Sequence, residues 1–347
     1  MSNSTLSSVS SNPRRASARP LLEIDNLSTH YVSAQGTRVV RAVDDVTLHV
    51  NAGETVGIVG ESGSGKSTLA LSILRVLPTA AKVVSGNVWL EGEDLMRKSD
   101  AEMQHVRGKR IAMILQDPMA SLNPLFTIGN QVAEPIRVHE RADRRTAWQR
   151  ARDLLKAVRI PSPETRVRQF PHEMSGGMRQ RIVGAIGISC EPRLLIADEP
   201  TTSLDLTIQA QYLNLLRELQ REHGLALIFI THNLGIVAKM CDRLVVMYAG
   251  RVIESGPVSQ VFNAPAHPYT RALLNAIPRM SDSRQRLTAI EGQPPDLAAL
   301  PRGCAFAARC PEAFDRCGKE APPEFNLSDG RSARCWLASV TTRAGAA

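Results

Sequence analysis

The stretch "GESGSGKST", Gly60–Thr68, constrains this chain more than any other. It fits the phosphate-loop pattern G-x-x-x-x-G-K-[ST]. It stands between "ETVGIVG", which reads as a short buried strand, and a helical pattern beginning near Lys66. That flanking context argues against a chance Gly-rich turn. Gly60, Gly63 and Gly65 let backbone N–H groups curl around a phosphate, and the helix start adds its positive end. Ser62, Ser64 and Thr68 complete the loop. Lys66 is placed to reach the β and γ phosphates of a nucleotide, and the Ser67 hydroxyl to ligate Mg²⁺.

The surrounding pattern predicts an α/β protein. From Leu21 to about Gly92 it is β-rich, with strands at "LLEIDNL", "RVVRAVDDVTLHV" and "GNVWLEG". The helix from Lys66 is expected to run to about Leu77, with Pro78 ending it. After a strand at "RIAMILQ", residues from about 118 to 188 read as helical and polar, an inserted helical subdomain. Then come strand "RLLIADEP", helix Leu206–Glu222, strand "LALIFITH", helix Leu234–Met240 and strands "RLVVMYAG" and "RVIES". Strands alternating with helices of this length indicate a mainly parallel sheet. The main domain therefore spans 21–256. From 257 to 338 the Pro content rises and periodicity weakens, marking a separate C-terminal extension. Residues 1–20, rich in Ser and Arg, and residues 339–347 read as disordered tails.

"LLIADEP" supplies the other half of a nucleotide site. Leu194–Ala197 form a buried strand that carries Asp198 and Glu199 to its C-terminal end, where α/β sheets bind ligands. Asp198 fits the acid that holds Mg²⁺ in P-loop enzymes, and Glu199 is placed to polarise an attacking water. An isolated acidic pair would read as a helix N-terminal charge; beside Gly60–Thr68 it reads as catalytic. Composition narrows the rest. The net charge of +8 is compatible with nucleic acid or an anionic membrane, yet aromatics are only 4%, too few for a single-strand groove. The basic run from Arg137 to Arg159 is interleaved with Glu140, Asp143 and Asp153. Its apolar Ala147, Leu154, Leu155 and Val158 fall at helical spacing, so it reads as an amphipathic surface helix. No run approaches the roughly 20 apolar residues that cross a bilayer. Six cysteines without an export signal point to the reducing cytosol.

A further motif, "HEMSGGMRQRIVGA", sets Ser175, Gly176 and Gly177 ahead of a helix. Physically this is either a second anion site or a helix cap. Taken together, the motifs resemble those of ATPase subunits of ATP-binding cassette (ABC) transporters. The phosphate loop, "LQDP" with Gln116, "MSGGM", "LLIADEP", "SLD" at Ser203–Asp205 and "ITHN" with His232 follow in that family's order from about Leu21 to Gly256. The resemblance implies a P-loop NTPase (RecA-like) nucleotide-binding domain with the helical insertion and an antiparallel β subdomain. It implies that Gln116 touches Mg²⁺ or the water and links the site to a membrane partner, and that His232 holds the γ-phosphate. It places Tyr31 on adenine and Asp205 at the ATP site, with Lys66, Glu199 and His232 carrying the catalysis. Ser175, Gly176 and Gly177 would contact ATP held by the opposite subunit, so turnover requires a dimer. The commoner signature L-S-G-G-Q is departed from at Met174 and Met178, while its serine and glycines are kept.

The stretches "SGPVSQVFNAPAHPYTRALLNAIP" and "EGQPPDLAALPRGCAFAARCP" resemble the C-terminal region of oligopeptide/dipeptide importer ATPases, the D-type subunit most. The resemblance implies ATP-driven uptake of di- or oligopeptides, with nickel, glutathione or another small solute as alternatives. It implies a peripheral subunit on the cytoplasmic face of the inner membrane. Its partners would be a second, different ATPase, two permease subunits and an external solute-binding protein, with no nucleic acid. A soluble ABC protein acting on ribosomes or DNA would carry two cassettes or a coiled-coil insertion, and a non-hydrolysing regulator conflicts with Glu199 and His232. Cys304, Cys310, Cys317 and Cys335 are spaced C-x5-C-x6-C-x17-C. That spacing lacks the close pairs of structural zinc, and disulfides conflict with the compartment. Four thiolates with Pro311 after Cys310 suit an iron–sulfur cluster, with zinc or unligated thiols as alternatives. Some peptide-importer ATPases carry a [4Fe–4S] cluster on four cysteines there, so the resemblance favours a structural cluster. Cys190 and Cys241 are expected to be ordinary buried residues in helices.

Overall fold

Continuous apolar runs along the central strands decide the layout. The computed structural model describes residues 19–202, 204–276 and 290–339. The tails read over 1–18 and 340–347, and Ser203 of the "SLD" motif, lie outside the described residues. Twelve strands are described: β1 Leu22–Val32, β2 Val39–Val50, β3 Thr55–Val59, β4 Ala81–Leu90, β5 Glu93–Asp94 and β6 Ile111–Ile114, then β7 Leu194–Asp198, β8 Ala226–Ile230, β9 Arg243–Tyr248, β10 Arg251–Pro257, β11 Phe325–Asn326 and β12 Ser332–Ala333. A four-stranded antiparallel sheet runs β2-β1-β4-β5, and an eight-stranded sheet runs β11-β12-β10-β9-β3-β8-β7-β6. In the larger sheet β9, β3, β8, β7 and β6 are parallel, with Val56 beside Ile228 and Leu195 beside Leu227.

Both faces of the sheet's parallel part are buried, so its central strands are apolar along most of their length. On one face Leu195, Ala197, Leu227 and Phe229 pack with the inserted helices through Ile128, Val132, Leu155 and Ile182. On the other, Leu194, Ile196, Ile228 and Ile230 join Leu22, Ile24 and Val46 of the antiparallel sheet and Leu69 and Ile73 of helix Lys66–Leu74. Burying each such side chain stabilises by about 1.5–3 kcal/mol. Two covered faces therefore hold the central strand ends still, and the candidate site lies at those ends.

The structure revises five local expectations. The helix from Lys66 stops at Leu74, short of Leu77: Arg75 turns left-handed at φ 53°, and its N–H closes onto the carbonyls of Leu71 and Ser72. The basic run from Arg137 to Arg159 belongs to two helices, Ile128–Glu140 and Arg144–Ala157. Arg141 is left-handed, and the Asp143 carboxylate accepts from the N–H groups of Arg145 and Thr146 to start the second helix. The extension is joined to the main sheet. β12 pairs antiparallel with β10, and Tyr269 and Phe306 pack on Val59, Val246 and Tyr248 in one apolar cluster. Ser339, expected in the tail, donates its hydroxyl to the Trp336 carbonyl at 2.6 Å. Cys190 and Cys241 sit just past helix ends, at the turn after Ile188 and as the cap of helix Leu234–Met240.

Candidate active site

β3 ends at Val59 and the chain turns through 60–65 into helix Lys66–Leu74. Glycine is required at two points of that turn. A Cβ on Gly60 would lie 2.2 Å from the Met247 carbonyl oxygen, and one on Gly65, at φ 102°, would lie 2.1 Å from the Ala42 carbonyl oxygen. Lys66 is buried and wraps back along the loop, donating to the carbonyls of Gly60 at 2.9 Å and Glu61 at 2.8 Å and approaching Ser64 Oγ at 3.3 Å. Burial lowers the Lys66 pKa, and the carboxylates of Glu199, Asp198 and Glu61 oppose that shift. Those carboxylates place strand β7's end beside the loop. Ser62, Gly63 and Ser67 are exposed along it. Tyr31 of β1 comes to the same helix, its hydroxyl 3.4 Å from Thr68 Oγ1.

β7 delivers Asp198 and Glu199. Asp198 is buried, its pKa raised by burial and by the neighbouring Glu199, against the opposing Ser67 hydrogen bond and Lys66 charge. Among the described residues its Oδ1 is a buried oxygen without a hydrogen-bond partner. A hard cation fits that donor set: one spare carboxylate oxygen next to a hydroxyl, completed by phosphate oxygens. Glu199 is left-handed at φ 45°, which breaks the strand and projects its carboxylate from the sheet edge. Its Oε2 accepts from Thr202 Oγ1 at 3.0 Å and Gln116 Nε2 at 3.3 Å, and its Oε1 lies 3.3 Å from His232 Nδ1. The ends of β6, β7 and β8 thus bring Gln116, Glu199 and His232 onto one carboxylate.

The remaining predicted positions stand elsewhere. Ser175 caps helix Gly176–Ile188, accepting from the Met178 N–H at 3.3 Å, and both Ser175 and Gly176 are exposed. Gly177 allows close approach to helix Leu206–His223, because a Cβ there would lie 2.7 Å from Ile208 Cγ2. Asp205 caps that second helix, accepting from the N–H groups of Thr207 and Ile208 at 3.0 Å.

The iron–sulfur expectation is overturned. Among the described residues no group of three or more His, Cys, Asp or Glu side chains is arranged to hold a metal ion. Cys304, Cys310, Cys317 and Cys335 do line one narrow cavity, with room for about one water. Burial raises the thiol pKa values of Cys304 and Cys310 and pushes Cys335 up to about 11. They pack as small apolar residues, Cys304 and Cys310 around Phe306 and Cys335 with Ala333 and Ala338. Sequence reasoning missed Glu61, an unrestricted position of the phosphate-loop pattern whose carbonyl accepts from Lys66, and Thr202, whose hydroxyl donates to Glu199.

Comparison with known proteins agrees with this geometry. The family described as ABC transporter matches residues 43–202, and the one described as oligopeptide/dipeptide transporter, C-terminal region, matches residues 253–317. The chain is 47% identical over 315 residues to the dipeptide transport ATP-binding protein DppD of Escherichia coli, covering 91% of this chain and 96% of that one. It is 45% identical over 320 residues to the oligopeptide transport ATP-binding protein OppD of Haemophilus influenzae, covering 92% and 98% respectively. Among solved structures, a dimeric ATP-binding cassette in a post-hydrolysis state with ADP and phosphate is similar. Its TM-score is 0.62 at 26% identity, over 68% of this chain and 98% of that one.

Proposed function

The chain belongs to the ATP-binding proteins of ABC peptide transporters, and on that premise we propose that it binds and hydrolyses ATP to drive uptake of di- or oligopeptides through membrane permeases. The observation that carries this reading is the meeting of Gln116 and His232 on the Glu199 carboxylate, beside the loop that holds Lys66. Lys66 and the loop N–H groups bind the phosphates at the helix start. Ser67, Asp198 and Gln116 would hold Mg²⁺ with the nucleotide, and the ion would neutralise phosphate charge. Glu199 takes the proton of the attacking water as the water oxygen bonds to the γ-phosphorus and the bond from that phosphorus to the β–γ bridging oxygen breaks, leaving ADP and phosphate. His232 and Gln116 fix the direction of the Glu199 carboxylate. Positioning and electrostatics, rather than a covalent intermediate, lower the barrier.

Ser175, Gly176, Gly177 and Asp205 serve ATP on a facing subunit, so the working unit is an ATPase dimer, here read as a heterodimer. The same solved relative, described as dimeric, supports the pairing of two cassettes. Among the described residues no helix is long and apolar enough to cross a membrane, so translocation belongs to permease chains, with a binding protein supplying peptide from outside. Leu115, Leu125 and Phe126 are exposed on the chain around and after Gln116, Leu125 at 81%, and an apolar permease segment fits that patch. The test is to purify the chain from its native membrane, identify its companions and measure ATP turnover with peptide-loaded binding protein. Two permeases, a second ATPase and peptide-stimulated turnover support the reading. Turnover stimulated by nickel or glutathione and by no peptide would overturn the substrate, and isolation without permeases would overturn transport.

A further inference from the structure

Arg309 lies in the C-terminal extension, and all five of its guanidinium N–H donors are engaged, two of them by Glu61 of the phosphate loop. Nη1 donates to Glu61 Oε2 at 2.9 Å and to Tyr248 Oη at 3.2 Å, and Nη2 to Glu61 Oε1 at 3.0 Å and the Ile290 carbonyl at 3.3 Å. Nε donates to the Glu291 carbonyl at 3.0 Å. Only 6% of the Arg309 side chain is exposed, and its guanidinium lies against the Tyr248 and Phe306 rings at 5.8 and 6.0 Å. Glu61 is the second residue of the loop. Its N–H donates to Tyr269 Oη at 3.0 Å, and its carbonyl accepts from Lys66 Nζ at 2.8 Å and from the Ser64 N–H at 3.2 Å. Tyr248 and Tyr269 each meet Phe306 edge to face and each other at a tilt, with centroids 4.6–5.4 Å apart, which fixes the hydroxyl and the guanidinium together.

Phosphate chemistry gives no reason for a carboxylate in this turn, since Glu61 would repel a polyanion a few ångströms away. Arg309 removes that repulsion with a bidentate pair, the strong geometry for a carboxylate. We infer that Arg309 is a positioning residue for ATP binding: from the extension it neutralises Glu61 and fixes the first turn of the loop, through which Lys66 is aimed at the phosphates. This rests on the reading of 60–68 as the nucleotide loop.

The test measures affinity of the full chain for trinitrophenyl-ATP, and KM and kcat for ATP in the assembled complex, for the wild type, Arg309→Met, Arg309→Lys, Glu61→Gln and the Arg309→Met/Glu61→Gln double variant. Arg309→Met is expected to weaken binding and raise KM about tenfold with kcat within about twofold, because the lost group acts on ground-state binding. Arg309→Lys recovers part of the loss. Adding Glu61→Gln to Arg309→Met restores affinity to within about threefold of the wild type, a non-additivity that general destabilisation would not give. If Arg309→Met yields no folded protein, Tyr269→Phe removes only the hydroxyl on the Glu61 N–H and is expected to weaken binding about threefold. Binding by Arg309→Met within twofold of the wild type, or a loss that Glu61→Gln does not relieve, overturns the proposal. Lys66→Ala is the control: wild-type binding lost in Lys66→Ala keeps the loop reading whatever Arg309 does, and a wild type that binds no nucleotide overturns both.

Discussion

Glu199 Oε1 and His232 Nδ1 stand 3.3 Å apart, joining the ends of β7 and β8 across the mouth of the site. The Glu199 carboxylate is mostly buried while the His232 side chain is 62% exposed, so the ring is free to hydrogen-bond a phosphate oxygen as well as the acid. Replacing His232 with Ala removes that orienting contact without touching the loop. The expected result is a kcat about 10²-fold lower with ATP affinity changed less than about threefold. Steady-state turnover and nucleotide titration on the same preparations check it, and a wild-type kcat would remove His232 from the chemistry.

Gly65 is held at φ 102° with the Ala42 carbonyl against the position a side chain would take. Gly65→Ala therefore adds backbone strain of about 1–3 kcal/mol and a clash with main chain, which cannot swing away. Its Tm should fall and its nucleotide binding should be lost. Gly63→Ala is the comparison, because a Cβ there meets nothing within 4 Å. It carries only the strain of its φ of 76°, so its loss of stability should be the smaller one. Equal losses for the two would contradict the packing account.

His267 sets an acid limit on stability. It is buried, its Nδ1 accepts from the Tyr269 N–H at 3.0 Å, and burial brings its pKa down to about 3 from 6.5. As pH falls below about 6.5 the unfolded chain takes up a proton that the folded chain refuses. The contribution is complete above that pH and is lost progressively toward pH 3, at up to about 1.4 kcal/mol per pH unit. Denaturant unfolding between pH 4 and 7 should show a shallower acid decline for His267→Asn, which keeps an acceptor for the Tyr269 N–H. Glu254, buried beside it, is common to both proteins and cancels in the comparison. Identical slopes would count against the assignment.

Much of this architecture is legible in local sequence because local physics sets it. The loop around Gly60–Thr68 and the apolar run Leu194–Ala197 are each specified within a few residues, and so are their strand and helix contexts. What the sequence hides is set by distance or burial. Arg309 and Glu61 are 248 residues apart, and no spacing rule pairs them. The left-handed turn at Arg75 is held by backbone hydrogen bonds that many residue types permit, so Pro78 was the misleading signal. The cysteines mislead for a related reason: their spacing suggests ligands, whereas among the described residues no such group is arranged to hold a metal, and Cys304, Cys310 and Cys335 pack among apolar neighbours.

The exposed patch gives a prediction about assembly. Leu125 is 81% and Phe126 52% exposed, a cost in water that a covering partner would relieve. Leu125→Ser with Phe126→Ser should leave the isolated chain as stable as the wild type and its nucleotide affinity unchanged. Recovery of permeases with the chain should fall about tenfold or more, as for loss of apolar anchors at an interface. Undiminished recovery would place the permease contact elsewhere.

The most direct test of the central claim is ATP hydrolysis by the assembled complex carrying Glu199→Gln, measured beside nucleotide binding by the same protein. Gln keeps the size and the contacts to Thr202 and His232 but cannot take the proton from water. The account predicts unchanged ATP affinity with turnover slowed about 10²–10⁴-fold. Wild-type turnover in that variant would contradict it.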